Sequence, residues 1–187
     1  MKSFSVFALA AALAPAALAQ QQTYSVSPDA SKVDITLKTT HEIVNGSFHV
    51  QSGSIEFDRT THRMKGSVVV LTGSGKTGNS SRDKKMNTDI LKVEQYATVS
   101  FDPKSYTGDL ALAGDSNLQV TGAFTLVGTP HEITLPLLVH IEGTAATAKG
   151  HFVIPYVQWG LKNPSFLIWK ADDDVTIDLF LAGQLKN

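Results

Sequence analysis

The residues that most resemble a chemical site are Gly75, Lys76 and Thr77, the Gly-Lys-Thr triplet that ends a phosphate-binding loop. Such a loop needs another glycine five positions earlier, because its backbone N–H groups must wrap around the phosphates. That position holds Val70, and no alternation of strands and long helices follows. The triplet therefore predicts no nucleotide site, and its glycines are better explained as turn residues that lead a strand into a helix.

Other residue types capable of chemistry show no arrangement that would let them act together. The chain has no cysteine nucleophile, no Gly-x-Ser-x-Gly elbow and no prominent pair of carboxylates, so we expect no catalytic residues and no enzyme. The 6 histidines lack metal-ligand spacing, so we expect neither a metal site nor a cofactor. A formal net charge of −1 without a basic block gives no reason to expect a nucleic-acid partner.

The N-terminus has the features of a secretory signal peptide over residues 1–19. Lys2 precedes an apolar run over residues 4–18, and a small-residue motif predicts cleavage after Ala19. No later apolar run reaches the roughly 20 residues that a transmembrane helix needs. We therefore expect a periplasmic or secreted protein in which residues 20–187 form one domain, stabilised by packing because the chain has no cysteines for disulfides.

Apolar and polar residues alternate along most of this domain, which predicts strands with one buried face. Such runs are clear over residues 33–37, 97–101, 120–126, 133–141 and 175–181. Short turns separate the runs, and the sequence has neither a βαβ rhythm nor an internal repeat. The pattern predicts an all-β antiparallel sandwich or closed barrel.

Two details of the pattern predict local structure. The alternation changes phase within residues 46–58, so we expect a β-bulge that bends a long strand at Gly53. Residues 80–91 are rich in charged side chains and carry an apolar stripe at helical spacing. They predict one short helix, with Asn79 or Ser80 as its N-cap.

The segment that contains this helix resembles the hallmark of the YceI-like family of exported, lipocalin-like proteins that bind polyisoprenoids. In that family a Thr-Gly-Asn turn leads into a short helix with Arg-Asp, a hydrophobic residue and a leucine or phenylalanine, followed by a Tyr-Pro-x-Ile-x-Phe strand. The matching residues are Thr77-Gly78-Asn79, Arg82-Asp83, Met86, Leu91 and Tyr96-Ala97-Thr98-Val99-Ser100-Phe101.

Further family landmarks match in order along the chain, at residues 27–35, 44–48, 52–58 and 122–135. The sequence departs from the family pattern at Tyr156 and Gln158, which stand where the family often has an arginine and an aspartate. Any polar role of that pair is therefore lost or rearranged in this chain.

The resemblance implies a closed, lipocalin-like antiparallel β-barrel of about eight strands with one short helix around residues 80–91. It also implies a non-enzymatic protein that binds, transports or sequesters a polyisoprenoid-type lipid, such as a quinone or a prenyl phosphate. The inward-facing apolar residues either fill the barrel or line a ligand cavity, and the resemblance favours the cavity. These residues are Phe48, Phe57, Val99, Phe101, Phe124, Leu126, Phe152 and Ile154.

Residues 159–169 are rich in large apolar side chains for a segment that contains a glycine and a proline. They predict either a plug over one end of the barrel or a mouth. In a mouth, Trp159, Phe166 and Trp169 would contact the lipid, with transient contact to a membrane surface.

The basic residues of the predicted helix, and the function of the whole chain, each have a second interpretation. Arg82, Lys84 and Lys85 form either a solvated helix face or contacts to the head group of the ligand. The alternative function is that of a ligand-free exported barrel that binds a protein partner through residues 159–169, since exposed aromatic residues are typical of interfaces. The sequence also allows a homodimer without requiring one.

Overall fold

The computed structural model describes residues 21–186, and the predicted signal peptide with its cleavage site lies outside them. β-Strands account for most of the described chain. The strands are β1 (Gln21–Val26), β2 (Lys32–Lys38), β3 (Ile43–Phe48), β4 (Val50–Asp58), β5 (Met64–Leu71), β6 (Thr98–Thr107), β7 (Gly114–Leu126), β8 (Thr129–Glu142), β9 (Ala145–Ile154) and β10 (Val175–Lys186).

The strands form a closed antiparallel barrel. β1 pairs with β4, the sheet continues in sequence order from β4 to β10, and β10 returns to pair with β1. β2 pairs with residues 176–180 of β10, next to the part of β10 that pairs with β1, and β3 pairs with β2. β2 and β3 therefore lengthen β1 and β4 and add no strand to the ring. The ring therefore has eight strands, which confirms the expected barrel.

The apolar faces predicted from the alternation point into this barrel. Along β7, for example, every second residue from Leu118 to Leu126 is buried, while the residues that alternate with them are exposed or half-buried. Each of the five predicted runs lies in a strand, apart from Ala97, which immediately precedes β6. The period-two pattern thus places the core inside the ring.

The two ends of the barrel differ in their connections. We call the end with the long connections the upper end; it comprises residues 39–42, 72–97, 127–128 and 155–174. The lower end has the shorter connections at residues 59–63, 108–113 and 143–144, together with the start of β1. The single predicted helix belongs to the upper end.

The predicted bulge at Gly53 is wrong in position. The chain leaves the strand at His49, between β3 and β4, and the pairing with β5 shifts between Val50 and Ser52. Gly53 itself pairs regularly with Val68. Its missing side chain instead makes room for Val26, with which a Cβ atom at this position would collide.

The predicted helix is confirmed. Helix α1 spans Ser80–Lys85 and continues directly into one π-helical turn over Met86–Ile90. The Asn79 side-chain oxygen accepts hydrogen bonds from the backbone N–H groups of Ser81 and Arg82, both at 3.1 Å. This N-cap satisfies two donors that the first turn of a helix leaves free.

Candidate ligand-binding cavity

The barrel encloses an elongated cavity of about 290 Å³. Its lining runs from Leu161 and Pro164 at the upper end to Leu110 and Leu185 at the lower end, so the cavity follows the barrel axis. Among the described residues that line it, none is charged, and the polar ones are Ser100, Thr147 and three tyrosines. A cavity of this kind suits a slender apolar molecule.

Eight of the residues predicted to line the barrel do border this cavity. Several of them keep some accessible surface although they point inward, because the space beside them is empty rather than filled by side chains. The bordering residues are Phe48, Phe57, Val99, Phe101, Phe124, Leu126, Phe152 and Ile154. That a ligand touches them stays a prediction.

The three aromatic residues of the 159–169 segment do not border the cavity. Trp159 stacks on the His131 ring, with 4.1 Å between the ring centroids and 4° between the planes. Phe166 and Trp169 face solvent, with 65% and 48% of their surfaces exposed. The segment nevertheless contributes to the cavity through Leu161 and Pro164, so it covers the upper end with other side chains than those expected.

The sequence reasoning missed other lining residues. Tyr24 and Ala148 face the cavity. Met86 and Leu91, which were named as part of the family hallmark and not as lining residues, also reach it, together with Ile90 of the π-helical turn. The alternation in β9 contained the signal for Ala148. Nothing in the sequence of β1 distinguishes Tyr24 from a surface residue.

The Gly75-Lys76-Thr77 triplet has a structural role at the upper end. The backbone N–H and C=O of Lys76 bond to Ser47 at 3.0 and 2.9 Å, which adds a short bridge to β3. A Cβ atom on Gly75 would lie 2.5 Å from the Met86 methyl and 2.6 Å from the Phe48 ring. The glycine therefore lets the turn pass closely over two cavity-lining side chains.

Asp83 attaches helix α1 to this turn. Its Oδ1 accepts the Thr77 side-chain O–H at 2.7 Å and the Thr77 backbone N–H at 2.8 Å. These two hydrogen bonds, assisted by the charges of Lys76 and Arg82, hold the pKa of the Asp83 carboxyl below its usual value of 3.8. Asp83 is buried, with 8% of its surface exposed, so the turn and the helix form one unit.

The three basic residues of α1 have different surroundings. Arg82 pairs with Glu42 at 3.2 Å, which connects the helix to the turn between β2 and β3. The Lys85 ammonium donates to the Pro164 carbonyl at 3.4 Å, which connects the helix to the 155–174 connection. Lys84 is exposed. The cavity lining includes none of the three, so any contact to a ligand head group would occur outside the barrel.

Tyr156 occupies the upper end of the cavity, where the family pattern often has an arginine. It is 5% exposed, and its hydroxyl donates to the Asp172 carbonyl at 2.7 Å. Burial raises the pKa of Tyr156 to about 12, and the nearby carboxylates of Asp173, Asp172 and Asp174 act in the same direction. The phenol therefore stays neutral, and Gln158 is exposed on the surface.

The lower end is closed by a network around Arg59. Its Nε donates to the Gln22 side chain at 2.7 Å, and its Nη1 donates to the Leu110 carbonyl at 2.8 Å. At the same end, Tyr106 stacks on His62 and is only 2% exposed, and burial raises the pKa of its phenol. Asp58 accepts backbone N–H groups from Thr60 and Thr61, both at 2.8 Å. This end of the cavity is therefore closed to a ligand.

Two absences also characterise residues 21–186. No three His, Asp or Glu side chains in that range converge as ligands of a metal ion would. Within the same range, no helix combines the length and the apolar character needed to span a bilayer.

The chain is similar in sequence to a known family of proteins. The family model of the YceI-like domain matches residues 24–182. UPF0312 proteins of Pseudomonas putida are similar over nearly the full length, with 24% identity over 95% of this chain and 96% of the relative for one of them.

Solved structures share the fold at low sequence identity. A polyisoprenoid binding domain from Saccharophagus degradans, described as implicated in plant cell wall breakdown, has a TM-score of 0.67 and 18% identity, covering 87% of this chain and 98% of that chain. Burkholderia cenocepacia BcnA has a TM-score of 0.66 and 20% identity over 84% and 98% of the two chains. The Campylobacter jejuni YceI protein has a TM-score of 0.58 and 21% identity over 77% and 86%.

Proposed function

The chain belongs to the YceI-like family, and from that premise we propose that its barrel binds a polyisoprenoid-type lipid, such as a quinone or a prenyl phosphate, without catalysis. The observation that carries the proposal is the elongated, charge-free cavity along the barrel axis. The name of the Saccharophagus degradans domain, which has the same fold, supports the same class of ligand.

The size and lining of the cavity favour the isoprenoid tail as the part that is enclosed. A cavity of about 150 Å³ holds a benzene molecule, and this one is about 290 Å³. Transfer of the tail from water into the barrel is favourable by roughly 25 cal/mol for each Å² of apolar surface removed. A phosphate or quinone head group would stay at the upper end, since the cavity offers no charged partner for it.

The upper end is the side from which we expect the ligand to enter. There the cavity is covered by the π-helical turn and the 155–174 connection, whereas the lower end is closed by the Arg59 network. Lys84 and Lys85 lie on α1 at this end of the barrel. A head group held just outside the cavity would therefore lie near their ammonium groups. The role proposed for the protein is carriage or sequestration of such a lipid in the periplasm or outside the cell.

The test is native mass spectrometry of the mature protein purified from its own host, followed by solvent extraction of anything bound. We expect a stoichiometric additional mass that extraction identifies as an isoprenoid. A bare polypeptide mass that persists after incubation with a prenol, a prenyl phosphate and a quinone would overturn the proposal. That result would favour the ligand-free barrel that binds a protein partner.

A further inference from the structure

Four consecutive large apolar residues project into solvent at the upper end of the barrel. Phe166, Leu167, Ile168 and Trp169, which we call the apolar tip, are 65%, 75%, 73% and 48% exposed. Ile43, on the neighbouring β2–β3 hairpin, is 62% exposed. Exposed apolar side chains are common singly, but a contiguous group at one end of a molecule marks a surface that binds something apolar.

The tip is a formed turn. The N–H of Phe166 donates to the carbonyl of Trp169, and the N–H of Trp169 donates to the carbonyl of Phe166, both at 2.9 Å. Leu167 adopts a φ of 53°, a left-handed conformation that is uncommon for residues other than glycine. The tight turn closed by these two hydrogen bonds requires this conformation, and the leucine gains no burial from it, since 75% of its surface is exposed.

Neighbouring residues fix the orientation of the tip. The Thr40 hydroxyl donates to the Ile168 carbonyl at 3.3 Å, and the Thr40 backbone N–H donates to the Lys170 carbonyl at 2.9 Å. The rings of His41 and Trp169 lie 4.3 Å apart. At the base, the Ser165 hydroxyl accepts the Ala171 N–H at 2.8 Å. The apolar side chains are therefore held outward.

Charges around the tip fit the surface of a lipid bilayer. Lys162 and Lys170 flank it in sequence, and Lys84 lies on α1 at the same end; all three are exposed and have no carboxylate partner within residues 21–186. Ammonium groups on long stems can reach lipid phosphates while the apolar residues between them are inserted. Asp172 lies on the barrel side of the tip, where its N–H bonds to the Lys38 carbonyl.

We propose that the apolar tip inserts into a lipid bilayer and thereby places the mouth of the barrel at the membrane surface. The tip and the cavity lining share the 155–174 connection, which supplies Leu161 and Pro164 to the cavity. Because the three consecutive acidic residues 172–174 lie near the lysines, apolar insertion carries most of the attraction and anionic lipid adds only a modest part. The purpose of this docking rests on the proposed lipid-binding function, but the docking itself does not.

The experiment is flotation of the mature protein with two kinds of vesicle, phosphatidylcholine alone and phosphatidylcholine with a quarter phosphatidylglycerol. We expect binding to both, with a tip double variant, Leu167→Glu with Ile168→Glu, lowering the partition coefficient by at least about tenfold because two inserted apolar side chains are replaced by charges. The matched control is Leu112→Glu, since Leu112 is 77% exposed but lies at the lower end. The control should bind like the unmodified protein.

A second measurement reports insertion directly. The chain has 2 tryptophans, so a Trp159→Phe variant leaves Trp169 as the only indole emitter. Vesicles of brominated phosphatidylcholine should quench its fluorescence, and the tip double variant should abolish that quenching. Equal binding by the tip and control variants, absence of binding by the unmodified protein, or no quenching of Trp169 would each overturn the proposal.

The lipid-binding function and the docking can fail separately. A variant with a blocked cavity, Ala148→Phe, should still float with vesicles if the tip docks independently of the ligand. Protein that binds vesicles through the tip but carries no isoprenoid would refute only the proposed function. Protein that carries an isoprenoid but ignores vesicles would refute only the docking.

Discussion

The two ends of this barrel are closed by different kinds of interaction. At the lower end, an arginine held by charge-assisted hydrogen bonds lies over the Phe57 ring, 5.6 Å from its centroid, and His62 stacks on Tyr106. At the upper end, the π-helical turn that follows α1 and the 155–174 connection cover the cavity with apolar side chains, and Lys85 on α1 joins the two regions through one hydrogen bond. Charge-assisted hydrogen bonds between partly buried groups are stronger than exposed ion pairs. The lower end is therefore a structural base, and the upper end is the part that we expect to open.

The largest effect should come from filling the space between the two ends. Ala148 is 8% exposed and borders the cavity, so the ring of Ala148→Phe would occupy the volume that the isoprenoid tail needs. We expect the affinity for a fluorescent farnesyl analogue to fall at least about a hundredfold, because apolar surface of the tail is no longer buried. Ala145→Phe, at an exposed position three residues earlier in β9, is the control and should bind normally. Equal affinities of the two variants would show that the ligand binds elsewhere.

The next effect concerns one arginine at each end. Arg59→Ala should lower the free energy of unfolding by about 2 kcal/mol, because it removes charge-assisted hydrogen bonds and leaves the Leu110 carbonyl without its donor. Arg82→Ala removes an exposed ion pair with Glu42 and should cost at most about 1 kcal/mol. Urea unfolding of both variants measures the difference. A larger loss for Arg82→Ala would reverse the assignment of the base and the opening end.

A smaller effect should appear as a dependence on pH. The pKa of Asp83 is lower in the folded protein than in the unfolded chain, so its stabilisation of the upper end is present above about pH 4 and is lost as the pH falls through the folded value. Hydrogen exchange of the α1 amides, followed from neutral to acidic pH, should show this loss. Asp83→Asn should make the protection of α1 nearly independent of pH in that range.

The control for that measurement is Asp58→Asn at the lower end, where backbone N–H groups of Thr61 and Thr60 lower the pKa of the carboxyl. This variant should leave the pH dependence of α1 protection unchanged. If it alters α1 as Asp83→Asn does, the two ends are coupled and the upper end does not open independently of the lower one.

The sequence was informative about the barrel because the relevant signals are periodic. In β8, Ile133, Leu135 and Ile141 alternate with exposed residues, and any closed antiparallel sheet must turn such a face inward. The helix was predicted for a local reason, since the Asn79 cap and the charged first turn lie within a few residues of each other.

The parts of the site that were mispredicted or missed lack such a signal. A change of phase in the alternation shows that the strand contains an irregularity, but it does not show at which residue. The irregularity predicted at Gly53 therefore lies between Val50 and Ser52. Trp159, Phe166 and Trp169 belong to a connection without periodicity, where stacking on His131 or exposure to solvent depends on the packing of the whole upper end. Whether the lumen is open depends on summed side-chain volumes, which the same alternating pattern leaves undetermined.

The pairing of β1 with β10 also has a consequence for how the chain folds. This ladder joins Thr23 to Lys186, so the ring cannot close until strands from opposite ends of the described chain have met. Contacts between residues so distant in sequence form slowly, because the intervening chain must lose its conformational freedom first. We therefore expect the open sheet from β4 to β10 to assemble before the ring closes. During that interval the apolar inner face is accessible, which is the stage at which the nascent barrel is most prone to aggregation.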